Sequence, residues 1–326
     1  MVDSTRVQIT RMEKSLVTIG MTCFNAEQTI SRAIKSALKQ NWEKIELLIV
    51  DDHSIDSSLE LVRKEIAGDK RARLIQHEQN VGPAGTRNTI LNEAKGEFVA
   101  FFDDDDESLP ERISEQIKSL TSYEKRTGNN LIACYASGIR RYPNGYTKLL
   151  PAIGSRYIDI PYGPGVADYL LFYHRRRGWF YGSGTPTCAL LARHSTFSTI
   201  GGFDSKLRRV EDVDFAIRLA LMNGYFIGTR KKLFIQYATA TSDKTPELNL
   251  EAEQKLVKKH KDYLMKRKRF NYAYNWPRLR FYHFKKQHIK MLITFINLFI
   301  RYPLSTTRHI LTTGSNRLLH EFKINR

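Results

Sequence analysis

Four apolar runs, each followed by a stretch of helical periodicity, limit this chain to very few folds. "LVTIGMT" (Leu16–Thr22), "IELLIV" (Ile45–Val50), "ARLIQH" and "EFVAFF" are short and rich in β-branched or aromatic residues, as strands are. Between the first two, "AEQTISRAIKSALKQ" puts Ile30, Ala33, Ile34, Ala37 and Leu38 on one helical face; "SSLELVRKEI" and "AGTRNTILNEA" also read as helices. "IELLIV" is apolar without alternation, the pattern of a strand covered on both faces. Alternation of this kind predicts an α/β fold: a mostly parallel sheet with right-handed crossovers, flanked by helices. Beyond the fourth run, Ser108 and Glu111 form a capping-box pattern, and Ile113, Ile117 and Leu120 stripe the helix that follows.

Later segments are less regular. Residues 130–240 are rich in Gly, Tyr and Pro ("IPYGPGVADY", "GWFYGSGTPT") and read as loops and short strands around a site. One helix stands out there, "VEDVDFAIRLALMNG", with Val213, Ile217, Ala220 and Leu221 on one face and Gly224 as its C-cap. From Leu248 onward the chain reads as helical and basic, broken at Pro277 and Pro303. The charge is distributed accordingly. Of the net +18, residues 255–326 carry 18 Lys/Arg against 2 Asp/Glu, so the other 254 residues are nearly neutral. A nearly neutral body with a basic tail asks for an acidic partner. Three scattered cysteines (Cys23, Cys134, Cys188) show neither a disulfide framework nor zinc spacing, which points to a reducing compartment. The N-terminal "MVDSTRVQITRMEKS" has no apolar core of the secretory type. The longest strongly apolar stretch, "MLITFINLFI", is ten residues, where a membrane span needs about 20.

Chemistry gathers at the strand ends. In open α/β sheets, ligands bind beyond the carboxyl ends of the strands. "TCFNAE" follows the first strand, "DDHSID" the second and "DDDD" (Asp103–Asp106) the fourth. In an extended chain, Asp103 and Asp105 would share one face and Asp104 and Asp106 the other. Carboxylates crowded in this way are tolerable beside a divalent cation; oxygen ligands suit Mg²⁺ or Mn²⁺ held jointly with substrate phosphates. His53, His77 and His194 have no ligand spacing and read as structural or surface residues.

"VTIGMTCFNAEQTISRAIKSALKQ", "LLIVDDHSIDSSLELV", "NVGPAGTRNTIL", "GEFVAFFDDDDESLPERI" and "IGGFDSKLRRVEDVDFAIRL" resemble, in order and spacing, family-2 glycosyltransferases with the GT-A fold, over about residues 15–240. The resemblance implies a Rossmann-like nucleotide-sugar-binding half (16–130), an acceptor half (131–250), an N-terminal lead (1–15) and a basic helical extension (251–326). It sets Thr22, Phe24, Asn25 and Glu27 at the nucleotide, Asp52 on a uracil and Arg87 nearby. It makes Asp103 and Asp105 the D-x-D pair, with Asp105 on the metal and Asp103 or Asp104 on the ribose and sugar. Asp212 corresponds to the general base. Glu211 and Trp179 are acceptor-side candidates; Trp179 alternatively anchors the core, Asp52 alternatively caps a helix, and Glu211 or Asp214 alternatively caps a helix or orients Arg208 or Arg209. Asp106 would do no more than lead into the next helix. Two departures matter: "FIQYATATSDK" lacks the His many members carry after the last strand, and the Q-x-x-R-W signature of processive synthases is absent.

The implied enzyme is inverting, metal-dependent and non-processive. It would move one sugar from a nucleotide-diphosphate donor, a UDP-sugar, to a glycan or lipid-linked acceptor in surface polysaccharide or lipopolysaccharide synthesis. The alternative is a non-catalytic scaffold of the same fold. The tail, with Tyr, Phe and Trp between its cations, admits nucleic acid, a solvated face or an anionic membrane as its surroundings. No nucleic-acid motif accompanies it. Cations near acidic lipid contribute about 1 kcal/mol each, and the aromatics suit the interface. The expected location is therefore the cytoplasmic face of the plasma membrane.

Overall fold

The computed structural model describes residues 15–156, 158–238 and 245–324, apart from the side chains of 314–322. Most of the N-terminal lead and residues 239–244 of "FIQYATATSDK" lie outside the described residues. In chain order the elements are β1 (Val17–Cys23), α1 (Ile30–Leu38), β2 (Ile45–Asp51), α2 (Ser58–Glu65), β3 (Ala72–Gln76), α3 (Gly82–Glu93), β4 (Phe98–Asp103), β5 (Glu107–Ser108) and α4 (Arg112–Thr127). Then come β6 (Ile132–Arg141), β7 (Thr147–Leu150), α5 (Pro164–Phe172), β8 (Leu190–Arg193), α6 (His194–Ile200), α7 (Glu211–Leu221) and β9 (Tyr225–Tyr237). Five helices follow: α8 (Pro246–Lys259), α9 (Lys261–Lys266), α10 (Phe270–Phe284), α11 (His288–Arg301) and α12 (Pro303–Ile324).

The strands form one sheet in the order β3-β2-β1-β4-β8-β6-β9-β5, with β7 pairing with Gly138–Arg141 of β6, beyond its pairing with β8. The first four are parallel, as the alternation predicts. β8 then runs antiparallel to both β4 and β6, β5 runs antiparallel to β9, and only the β6–β9 pair restores parallel order. The sheet is therefore mixed. The chain leaves β1 toward β2 and β3, then returns through α3 to β4 on the other side of β1. That reversal opens a crevice between the ends of β1 and β4, where the register sets Thr22 against Asp103 and, across β2, Cys23 against Asp51.

Pleating sorts the core into two layers. Val17, Ile19 and Met21 face α1 and α4 in one cluster, while Leu48, Val50, Val99 and Phe101 join α3, α5 and α7 in the other. Gly20 is required on the second face: a Cβ there would stand 2.3 Å from Ile90 Cγ2. The predicted stripe Ile113, Ile117 and Leu120 is buried, but the capping box is not formed. Ser108 is in β5, and its Oγ accepts from Arg112 Nη1 at 2.9 Å instead. At the end of α7 the left-handed position falls on Asn223 (φ 62°), one residue before Gly224, because the helix ends at Leu221. Gly224 closes the turn by donating to Leu219 O at 2.9 Å.

The C-terminal helices rest on this body through α7 and α8. Asp214, with no exposed side-chain surface, accepts from Arg218 Nε (2.8 Å) and Lys259 Nζ (2.9 Å) and lies 2.9 Å from His260 Nε2. Thr245 caps α8, accepting from Leu248 N at 3.3 Å. Pro303 starts α12, but Pro277 breaks nothing: it is inside α10, buried where α10 packs on α8 and α11, and that packing offsets the roughly 3 kcal/mol an interior proline costs. No helix among the described residues is long and apolar enough to cross a membrane.

Candidate active site

A cleft of about 1090 Å³ lies over the β1/β4 crevice. Thr22, Phe24, Asp52, Arg87, Asp103, Asp104, Asp105, Glu211 and Asp212 all line it, together with Arg208, Arg209, Asn249 and Lys255. Residues more than a hundred positions apart meet here because β1, β2 and β4 end, and α3 and α7 begin, at the same edge.

Each side is held by its own bonds. Asp52 accepts from the N–H groups of Val81 (2.9 Å) and Gly82 (2.8 Å), so it caps α3, not the helix directly after it. His77 Nδ1 stands 2.9 Å from the same carboxylate and Nε2 stands 2.9 Å from Thr89 Oγ1, which fixes the acid's orientation. Phe24 projects into the cleft with its ring 44% exposed, and its N–H donates to Asp104 Oδ2 at 3.0 Å, tying the first loop to the acidic turn. Asn25 and Glu27 do not line the cleft. They brace the neighbouring loop: Asn25 Oδ1 accepts from Ile55 N and Glu27 Oε2 from Ser57 N. Trp179 is elsewhere too, packed between Tyr162 and Tyr181 with Arg176 over its ring.

The acidic run is a turn, not an extended strand, so the expected alternation of faces is not realised. Strand pairing ends at Asp103, Asp104 and Asp105 form the turn, and Asp105 O accepts from Arg32 Nη2 at 2.7 Å. The turn curls Asp106 back beneath Asp103. Ligand atoms of Asp103, Asp106 and Cys188 lie within 4.8 Å of one another, so Asp106 is more than a lead into the next helix. Burial, then neighbouring charge, pushes these acids up: Asp103 to about 6, Asp104 and Asp106 to about 8. Asp106 Oδ2 is buried without a hydrogen-bond partner. Below them, buried Arg112 donates to Phe101 O (2.8 Å), and burial pushes it down to about 10. Sequence patterning missed Arg112, Asp106, Cys188 and His77; the only available signal was an Arg in the first turn of a helix, where the dipole disfavours it. This donor set fits a hard divalent cation. Oxygens crowded against their own charge gain from one, whereas the buried Cys188 thiol, raised well above its usual range by burial, is a poor ligand for Mg²⁺ or Mn²⁺.

Opposite the acids, α7 begins at a strained residue. Val210 is β-branched yet has φ 58° and ψ 16°, and this turn delivers Glu211 and Asp212 to the cleft. Arg87 joins the two walls, pairing with Glu211 and lying 3.9 Å from Asp103 Oδ1. Burial opposes its charge, but Glu211 and Asp103 more than offset that and raise it. Among the described residues Asp212 Oδ1 accepts only a local bond, from Val213 N at 2.7 Å, and burial followed by the charge of Glu211 pushes it up to about 6. A carboxylate so placed can take a proton from a hydroxyl near neutral pH. Glu211 neither caps a helix by side chain nor orients Arg208 or Arg209, and Asp214 turns away from the cleft to His260 and Lys259.

Residues 18–164 match the model of Glycosyl transferase family 2. An uncharacterized glycosyltransferase of Haemophilus influenzae is 34% identical over 128 residues, 39% of this chain and 51% of that protein. The UDP-Glc:alpha-D-GlcNAc-diphosphoundecaprenol beta-1,3-glucosyltransferase WfgD of Escherichia coli is 41% identical over 109 residues, 33% of this chain and 42% of that one. The chain thus spans about half the length of these relatives, or less. The crystal structure of S. aureus TarS 1-349 in complex with UDP-GlcNAc superposes with a TM-score of 0.53 at 20% identity, covering 74% of this chain and 65% of that chain.

Proposed function

We propose that this chain, whose residues 18–164 match the family-2 glycosyltransferase model, acts as such an enzyme and transfers one sugar, with inversion, from a UDP-sugar to a hydroxyl of a lipid-linked glycan acceptor in surface polysaccharide synthesis. The observation that carries this reading is Arg87, which joins an acidic turn on one wall of the cleft to the Glu211–Asp212 pair on the other. Phe24 offers an exposed ring to the nucleobase, with Thr22 beside it, and Asp52 is already fixed for a uracil N–H. Asp103 and Asp104 border the ribose and sugar. Asp105, with Asp103, would hold Mn²⁺ or Mg²⁺, which when bound offsets the charge of the departing diphosphate. Asp212 takes the acceptor proton as the hydroxyl oxygen bonds to the anomeric carbon and the bond from that carbon to the diphosphate oxygen breaks. Attack from the side opposite the leaving group inverts the centre.

The acceptor assignment is supported by the WfgD relative, whose acceptor is a diphosphoundecaprenol-linked sugar. It also suits a chain whose C-terminal helices lie on the anionic inner face of the plasma membrane; nucleic acid is not the expected partner. A donor screen that reads release of free UDP, with Mn²⁺ and with EDTA, tests the proposal. UDP-sugar turnover that needs acceptor lipid and stops in EDTA is expected. Turnover indifferent to EDTA would sink the metal assignment, and no turnover with any UDP-sugar would sink the donor assignment.

A further inference from the structure

A second cavity, about 670 Å³, lies among the C-terminal helices on the far side of α7 and α8 from the acidic turn. Its size is within the about 300–1,000 Å³ that hold drug-sized ligands. Six helices build it, contributing among others Leu256 of α8, Trp276 and Leu279 of α10, Met291 and Phe295 of α11, and Ile310 of α12. Its polar lining is paired or stacked: Glu253 forms an ion pair with Arg280, and His309 stacks on Trp276 at 3.6 Å and on Tyr173 at 4.2 Å, where burial pushes it down to about 3.

Two continuities suggest what such a cavity holds. On one side, Val210 lines both this cavity and the cleft of Asp212, so the two spaces adjoin at that residue. Arg209 and Lys255 line the cleft, the first donating to Asn249 Oδ1 (2.5 Å) and the second pairing with Glu251 (2.8 Å), an exposed partner that an anionic linker would displace. On the other side, α11 has two faces. Met291 and Phe295 line the cavity, while Ile289, Leu292, Ile293, Ile296 and Ile300 are exposed, flanked by Lys285, Lys286, Lys290 and Arg301. An apolar helix face rimmed by cations is complementary to an anionic lipid surface.

Building on the glycosyltransferase reading, we propose that this cavity is the acceptor-lipid site: it takes the first isoprenoid units of a lipid diphosphate, with the diphosphate at Arg209 and Lys255 and the acceptor sugar before Asp212. The chain would pass from the bilayer under α11 into the protein, which places the attacking hydroxyl by its lipid as well as by its sugar.

Calorimetric titration of the full chain with farnesyl diphosphate, inorganic diphosphate and UDP tests this. Farnesyl diphosphate is expected to bind at least about tenfold more tightly than inorganic diphosphate, because its chain leaves water. Two variants should remove that gain while leaving UDP affinity unchanged: Ile310→Trp, which fills the cavity from a half-exposed position, and Phe295→Asp, which charges it. If Phe295→Asp also loses UDP binding through misfolding, Ile310→Trp decides. Equal affinity for the two diphosphates, or a farnesyl gain untouched by Ile310→Trp, overturns the proposal. So does dodecyl phosphate competing on equal terms, which would make the cavity a site for any single-chain amphiphile. Failure of UDP to bind the native chain would instead break the donor reading and leave the cavity result standing.

Discussion

β2 and α11 are both apolar segments, and the structure treats them in opposite ways. All seven residues of β2 are buried between two parallel neighbours and two helical layers. Of the fourteen residues of α11, only Leu298 is. The strand's apolar surface is covered from within the chain, so it specifies the fold. The helix's surface is left over, and leftover apolar area bordered by cations specifies a contact with something else. Hydrophobicity alone therefore does not separate core from interface in this molecule; the neighbours available to each segment do.

The largest expected effect breaks the comparison on the strand side. Leu48→Asp would bury a charge in the sheet at a cost comparable to the whole stability of a domain, roughly 5–15 kcal/mol, and soluble folded protein should be lost. The paired change Leu292→Asp with Ile296→Asp on α11 should leave the thermal midpoint almost unmoved and cut co-sedimentation with anionic vesicles at physiological salt. Equal loss of folding in both proteins would mean that α11 is core after all.

Between these extremes, α7 belongs to both regions, and its two carboxylates show it. Asp212 faces the cleft and is pushed up to about 6; Asp214, two residues on, faces the C-terminal helices and is held well below the ordinary carboxylate range by His260, Lys259 and Arg218, against the burial that would raise it. Asp212→Asn should lower the rate of transfer by about 10²–10⁴ while UDP affinity stays within about twofold, read by single-turnover kinetics and calorimetry. Equal loss of both would mark Asp212 as a binding or structural residue. Asp214→Asn should instead spare the chemistry and cost about 3 kcal/mol in urea unfolding, since it removes the buried charge that Arg218 and Lys259 pair with and His260 contacts. Because its pKa is depressed on folding, that contribution is present in full above the normal carboxylate range and is lost progressively as pH falls from there through its lowered value.

How much of this was legible in the sequence follows from the same contrast. The parallel half was readable because each strand is a contiguous apolar run and each crossover helix has its own period. The strand-end acids were readable because a sheet's carboxyl edge is where ligands bind. What escaped depends on partners distant in sequence. β8 inserts antiparallel between β4 and β6 through pairings such as Phe98 with Arg193, which no local pattern encodes. Asp106 looks like any turn acid until the turn folds it beneath Asp103 and beside Cys188. Pro277 reads as a break because its cost is local, whereas the packing that offsets it comes from α8 and α11. Asn25 and Glu27 read as ligand contacts because their loop is near the cleft, yet their side chains turn to the loop at Ile55 and Ser57.

The smallest expected effect sharpens the comparison at Asp212 itself. A base must be unprotonated to act, and this one is raised to about 6 by burial first and by the charge of Glu211 second, with Arg87 pulling it back down. Transfer should therefore be at its plateau near pH 7.5, fall to about half at pH 6 and drop about tenfold per unit below that. Glu211→Gln removes one of the charges that raise the acid, so its acidic limb should move to lower pH even if the plateau falls with the loss of the Arg87 pair. Asp214→Asn, on the opposite face of the same helix, should leave that limb where it is under conditions in which the protein stays folded. A limb that shifted with Asp214 and not with Glu211 would mean that the helix-bundle side of α7, rather than the cleft side, sets the proton affinity of the base.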